Sequence, residues 1–135
     1  FYDGLIFHRV ISNFMIQTGG FGPDMEPRRP GAPIQNEADN GLSNKRGTIA
    51  MARTMSPHTA SSQFFINVND NGFLDHTAKT QDGWGYCVFG RVLEGMDVVD
   101  SIRETPTTAR AGHRDVPEED IVIHQARITG DKEDS

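Results

Sequence analysis

Cysteine is nearly absent. Cys87 is the only one in 135 residues, so no disulfide can form within the chain. Its neighbours Tyr86, Val88 and Phe89 read as a strand, which points to an inert packed thiol rather than a nucleophile. Long apolar runs are missing too: no window approaches the roughly 18 consecutive apolar residues of a membrane span, so no membrane association is expected. Positive charge is scarce, with 13 Lys and Arg against 19 Asp and Glu and a formal net charge of -6. Nucleic-acid affinity rests on clustered cations that neutralise phosphates, so nucleic acid is not an expected partner. The short basic groups Arg28, Arg29, Lys45 and Arg46 read as solvated loops. The chain opens at Phe1-Tyr2-Asp3 with no initiator Met, basic segment or apolar signal core, and this reads as the interior of a longer sequence.

The common catalytic arrangements are each missing a part. The histidines at 8, 58, 76, 113 and 124 are scattered singly, with no His-x-x-x-His or Cys-x-x-Cys pair, so no transition-metal site is expected. There is no Gly-x-Ser-x-Gly elbow for a serine nucleophile. Asn69-Asp70-Asn71-Gly72 resembles part of a calcium loop but lacks the ligand spacing and closing Glu, and reads as a turn. Gly19-Gly20-Phe21-Gly22 follows a strand, yet no helical pattern follows it, which argues against a phosphate-cradling loop.

What is present is a loop-rich sequence of one-domain size with 14 Gly and 7 Pro, read as a domain over 1–130 and a polar tail over 131–135. Apolar runs of four to seven residues separated by Gly, Pro, Asn and Asp predict a mainly β fold. The expected strands are Leu5 to Val10, Phe14 to Thr18, Gly47 to Ala52, Gln63 to Asn67, Tyr86 to Val92 and Ile121 to Thr129. One helix is expected over Met96 to Arg103, where Met96, Val99 and Ile102 share a stripe; Asp97 and Arg103 suit the two ends of its dipole, and Pro106 prevents extension. The segments Gly19 to Ser43 and Asn67 to Gly85 are too long to be mere connectors and are expected to shape a binding surface. Thr105 to Pro117 reads as a polar loop.

Two strand segments concentrate aromatic, Met and amide groups: Phe7 to Val10 with Phe14 to Gln17, and Ser62 to Asn67. Strict alternation puts Phe7 and Arg9 on one face, and Gln63, Phe65 and Asn67 on one face. Periodicity alone is equally met by Phe14, Met15 and Phe65 as ordinary core with Arg9 as a surface charge.

Larger blocks of sequence add to this reading. Phe1-Tyr2-Asp3-Gly4-x-Ile6-Phe7-His8-Arg9-Val10-Ile11-x-x-Phe14-Met15-Ile16-Gln17-x-Gly19-Gly20 closely resembles the cyclophilin signature. So do Gly47 to Ala52 followed by Ser62 to Ile66, and Phe73-Leu74-Asp75 leading to Val88-Phe89-Gly90-Arg91-Val92 and Gly95 to Val99. The resemblance spans Phe1 to about Ile128, and the Gly83-Trp84-Gly85-Tyr86-Cys87 insertion is similar to the bacterial cytoplasmic branch. It implies an eight-stranded antiparallel barrel with two capping helices, of which the first two strands and first helix precede the point where this chain starts. It also implies a peptidyl-prolyl cis-trans isomerase that needs no cofactor and assists protein folding. A cytoplasmic monomer acting on proline-containing unfolded or flexible polypeptides is expected.

By the same resemblance, Arg9 and Gln17 are catalytic. Phe14, Met15, Phe65 and Leu74 grip the proline ring, Gln63 lines the groove, and the Ala52 backbone holds the residue before proline. The departures are Phe73 where eukaryotic members have Trp, Tyr86 where many have His, and Arg53 where many have Asn. The first implies weak cyclosporin binding, because the indole N–H is lost; the other two alter the edge of the substrate site. A binding module with incidental turnover, and an inactive fragment, are the competing readings.

Overall fold

Short β-favouring runs between Gly- and Asn-rich turns give short strands. The computed structural model describes residues 1–54, 56, 58–80 and 83–129. Its main sheet has five antiparallel strands in the order β1 (Phe7–Ile11), β2 (Met15–Thr18), β6 (Phe64–Asn67), β5 (Thr48–Met51) and β7 (Val88–Arg91). Two ribbons flank it: β3 (Phe21–Gly22) with β4 (Glu26–Pro27), and β8 (Thr107–Arg110) with β9 (His113–Pro117). The single α-helix among the described residues, α1, spans Met96–Arg103 as expected.

Each face of the sheet has its own core. On one, Val10, Ile16 and Ile66 bury against Val99 of α1, with Phe7, Met96 and Ile102 packed around them. On the other, Met15, Ala50, Phe65 and Val88 pack against Leu74, with Phe14, Ala52 and Tyr86 at the margin. Each such aliphatic or aromatic side chain contributes roughly 1.5–3 kcal/mol on full burial. Arg46 pins the helix to the sheet by two bonds to Asp100, at 2.9 and 2.7 Å.

The face assignment of β1 differs from strict alternation. Phe7 pairs with Thr18 but Arg9 pairs with Gln17, so His8 is an extra residue in a β-bulge. Thr18 and Gln17 point to opposite faces, and therefore so do Phe7 and Arg9. Phe7 joins the helix-side core, His8 is buried, and Arg9 is exposed on the face of Gln17 and Met15.

Two further expectations are corrected. Residues 121–129 form no strand: Val122 makes an isolated bridge to Ile6, and Ile128 is 97% exposed. The pattern there was only partly apolar, and beyond Ile123 the one backbone bond recorded to the rest of the chain goes from Ala126 N to the Asp3 carboxylate. Residues 105–117 are not a loop but contain the β8–β9 hairpin, closed by Ala111 (φ 51) and Gly112 (φ 80), both left-handed as a tight hairpin turn requires. The mainly β architecture with one α-helix is as expected; the described strands leave the main sheet open, and no closed barrel forms among the described residues. The tail at 131–135 lies outside the described residues.

Candidate active-site groove

The groove lies on the sheet face away from α1. Register sets its centre: Gln17 stands between Arg9 on β1 and Phe65 on β6, and Phe65 in turn faces Ala50 on β5. Gln17 donates from Nε2 to Gln63 Oε1 at 2.8 Å, while its Oε1 lies 3.5 Å from Arg9 Nη1. That second contact is long, and it is the one hydrogen bond Arg9 makes among the described residues. Most of its fork of five N–H donors therefore faces the groove unengaged.

A cavity of about 200 Å³ sits beside this pair. Met15, Phe65 and Leu74, all buried, form its floor. Arg9, Gln17, Phe14, Ala52, Arg53 and Tyr86 complete its walls. Nine of the eleven residues singled out from the sequence thus meet here. Gln63 lines an adjoining cavity of about 200 Å³ with Gln17, Ala52 and Arg53. Phe73 is not in the wall: it is 75% exposed and stacks on Phe14 at 5.6 Å between ring centroids.

Arg53 bridges the rim. Its guanidinium lies 4.6 Å from the Tyr86 ring centroid, and its Nε donates to Gly85 O at 2.8 Å. Both contacts hold Tyr86 edge-on to Phe65, at 5.8 Å between centroids.

A buried amide network fixes the loops that carry the walls. Asn67 Nδ2 donates to Asn44 Oδ1 at 3.1 Å and to Thr48 Oγ1 at 2.9 Å. Asn71 Nδ2 donates to Asn67 Oδ1 and to the Phe14 carbonyl, both at 2.8 Å. Asn44 Nδ2 donates to Asp75 Oδ1 at 3.0 Å and to the Tyr86 carbonyl at 3.2 Å. Phe14, Leu74 and Tyr86 are in this way tied to one set of amides beneath the sheet. Burial pushes the Asp75 carboxyl up, but hydrogen bonds from Ser43 and Asn44 and the Lys45 charge outweigh it and hold the group below the ordinary carboxylate value. The motif 69–72, read as a turn, enters this network through Asn71 and runs into a 3₁₀ turn at Gly72–Leu74.

Cys87 is half-buried and free, and burial raises its thiol pKa, as an unreactive thiol requires. No helix among the described residues is long and apolar enough to cross a membrane. A larger cavity of about 530 Å³ lies at the far edge of the sheet between Leu42 and Arg91; it contains none of the groove residues.

The hairpin residues His113 to Asp115 come next to Arg9 and were not among the residues read from sequence. The Thr-Thr run before Ala-Gly was the available signal, hidden by polar composition.

The family model for cyclophilin type peptidyl-prolyl cis-trans isomerases matches residues 1–128. A peptidyl-prolyl cis-trans isomerase of Streptomyces antibioticus is 64% identical over 129 residues, covering 96% of this chain and 78% of that protein. Peptidyl-prolyl cis-trans isomerase B of Escherichia coli is 54% identical over 129 residues, covering 96% and 79%. Among solved structures, a cyclophilin-type isomerase of Cryptosporidium parvum, determined in the presence of the dipeptide Ala-Pro, superimposes with a TM-score of 0.69 at 26% identity, covering 91% of this chain and 73% of that one. The chain belongs to the cyclophilin-type family, and its bacterial relatives at 54–64% identity mark it as a bacterial peptidyl-prolyl cis-trans isomerase.

Proposed function

We propose that the groove turns Xaa-Pro bonds with Arg9 as the principal catalytic residue and Gln17 as its partner. One observation carries this reading: an exposed guanidinium, held opposite Gln17, stands at the rim of a pocket floored by Met15, Phe65 and Leu74. The pocket grips the proline ring, and the Ala52 backbone and Arg53 hold the preceding residue. With the ring fixed, rotation is confined to the acyl side.

The uncatalysed barrier is about 20 kcal/mol because amide resonance must be lost. No covalent bond is made or broken, so the protein must only favour the twisted amide over both planar forms. As conjugation breaks, the prolyl nitrogen becomes pyramidal and gains a lone pair. A guanidinium N–H of Arg9 donates to it, and arginine remains charged at any working pH. The apolar floor excludes water and strengthens that contact. Removing about 7 kcal/mol from the barrier corresponds to roughly 10⁵-fold acceleration.

The substrates are proline-containing segments of unfolded or flexible chains, and the cellular role is assistance to folding in the cytoplasm by a monomer; the resemblance of Gly83 to Cys87 to the bacterial cytoplasmic branch supports the location. Cyclosporin binds weakly, since Phe73 offers no indole N–H. The five-stranded sheet is one wall of the family barrel, and residues 1–130 act as one isomerase domain. An exchange or protease-coupled assay on an Ala-Pro-Phe peptide, comparing the parent with Arg9→Ala, tests the reading. Acceleration that is largely lost in the variant supports it; equal rates overturn it, and peptide binding without acceleration favours a capture module.

A further inference from the structure

Beyond the proline pocket, a second cleft of about 440 Å³ opens on the other side of Arg9. It shares Gln17 and Gln63 with the groove, and its far wall is the start of β9: His113, Arg114 and Asp115. Its floor is the Phe21 ring, held between two imidazoles, with ring centroids 4.7 Å from His8 and 5.1 Å from His113.

The charges in this cleft oppose those of the chain as a whole. Arg9 and Arg114 face it with one carboxylate, that of Asp115, in a protein of formal net charge -6. The side chains of Arg114 and Asp115 make no hydrogen bond or ion pair among the described residues, so the second guanidinium is not consumed by the fold. Asp115 offsets one of the two guanidinium charges, and Arg9 lies across the cleft on β1. His8 adds no charge near neutral pH, because burial, together with His113 and Arg9, holds its imidazole at about 4. The local balance is one uncompensated positive charge, with two planar guanidinium forks that match a carboxylate.

Resting on the isomerase reading above, we propose that this cleft is a subsite for an acidic side chain of the substrate, Asp or Glu, within a few residues of the proline. A peptide whose proline fills the pocket at Met15, Phe65 and Leu74 passes Arg9 and Gln17, the residues both cavities share. The next side chain on that path enters between Arg9 and Arg114. Arg9 then serves two neighbouring cavities, and Arg114 supplies selectivity alone.

The test uses Ala-Pro peptides that carry Glu, Gln or Lys two residues before or one residue after the proline, at low salt. The ratio of kcat/KM for the Glu over the Gln peptide is expected to be three- to tenfold at one of these positions and to fall as salt rises. Arg114→Glu brings that ratio below one. Asp115→Asn, which keeps a residue that tolerates φ of 59°, raises it about twofold. Arg91→Glu makes the same charge change at the opposite edge of the sheet and leaves the parent ratio in place. A parent ratio near one at both positions, or a ratio that Arg114→Glu does not move, overturns the proposal. NMR titration with the same peptides reads the Glu preference without turnover, so failure of the subsite is separable from failure of the isomerase reading.

Discussion

Arg9 and Gln17 face each other across the β1–β2 ladder, and the same Gln17 side chain that approaches the guanidinium is held by Gln63 at 2.8 Å. The arginine is thus aimed by a chain of two amides rather than by a carboxylate. A carboxylate at that position would satisfy the guanidinium in the ground state and weaken its donation to the prolyl nitrogen. Arg9→Ala is expected to lower kcat/KM by about 10²–10³-fold, the cost of one transition-state donor. Arg9→Lys keeps the charge but not the fork, and should recover part of that loss. Gln17→Glu should lower kcat more than it changes KM. Steady-state rates on one Ala-Pro peptide separate these cases, and an Arg9→Lys variant with parental activity would show that charge alone suffices.

Phe73 lies over Phe14 at the open side of the pocket, largely exposed. A phenyl ring there offers surface but no donor. Phe73→Trp supplies an N–H at the same place and should tighten cyclosporin binding at least tenfold, about 1.4 kcal/mol. Fluorescence titration of parent and variant measures it; nanomolar affinity in the parent would refute the expectation.

His8 is held neutral by burial and by the neighbouring His113 and Arg9, which bring its pKa from 6.5 to about 4. Between those values the unfolded chain binds a proton that the folded chain refuses. Stability contributed by the neutral imidazole is full above pH 6.5 and declines as pH falls toward 4, by up to about 3 kcal/mol. Urea unfolding of the parent at pH 7 and pH 4.5 should show this decline, and His8→Gln should flatten it. An unchanged pH slope in the variant would place the titration elsewhere.

The amide network supplies a stability prediction. Asn71→Ala leaves the buried Asn67 Oδ1 without its donor and removes one of the two donors to the Phe14 carbonyl, which keeps the Val68 N–H at 3.1 Å. A loss of about 1–3 kcal/mol is expected, seen as a lower denaturant midpoint at unchanged slope. Because the Phe14 carbonyl loses one of its two anchors, peptide KM should rise in the same variant.

The elements with strong local signals were legible in the sequence. The helix over Met96–Arg103 was written by its three-residue stripe and by Pro106, and five strands by apolar runs between Gly and Asn. The groove residues were legible chiefly through resemblance, since periodicity leaves Phe65 and Met15 as plain core. What could not be read depends on non-local pairing. The bulge at His8 is a matter of register against β2, and Ile121 to Thr129 has strand composition without a paired strand beyond its single bridge. The β8–β9 hairpin was hidden because Thr107 to Arg110 and His113 to Asp115 are polar, and a polar ribbon has no apolar face to announce it.

A regular strand offers its side chains two directions, but the bulge gives Phe7, His8 and Arg9 three. One joins the helix-side core, one lies tilted against Phe21, and one stands over the groove. Three consecutive codons therefore answer to three unrelated selective demands. On the proposed function, position 7 should favour what fills an apolar gap, position 8 a small neutral ring, and position 9 a guanidinium above all. A saturation scan across this tripeptide would yield three profiles with almost no overlap, and no single measure of similarity would describe them.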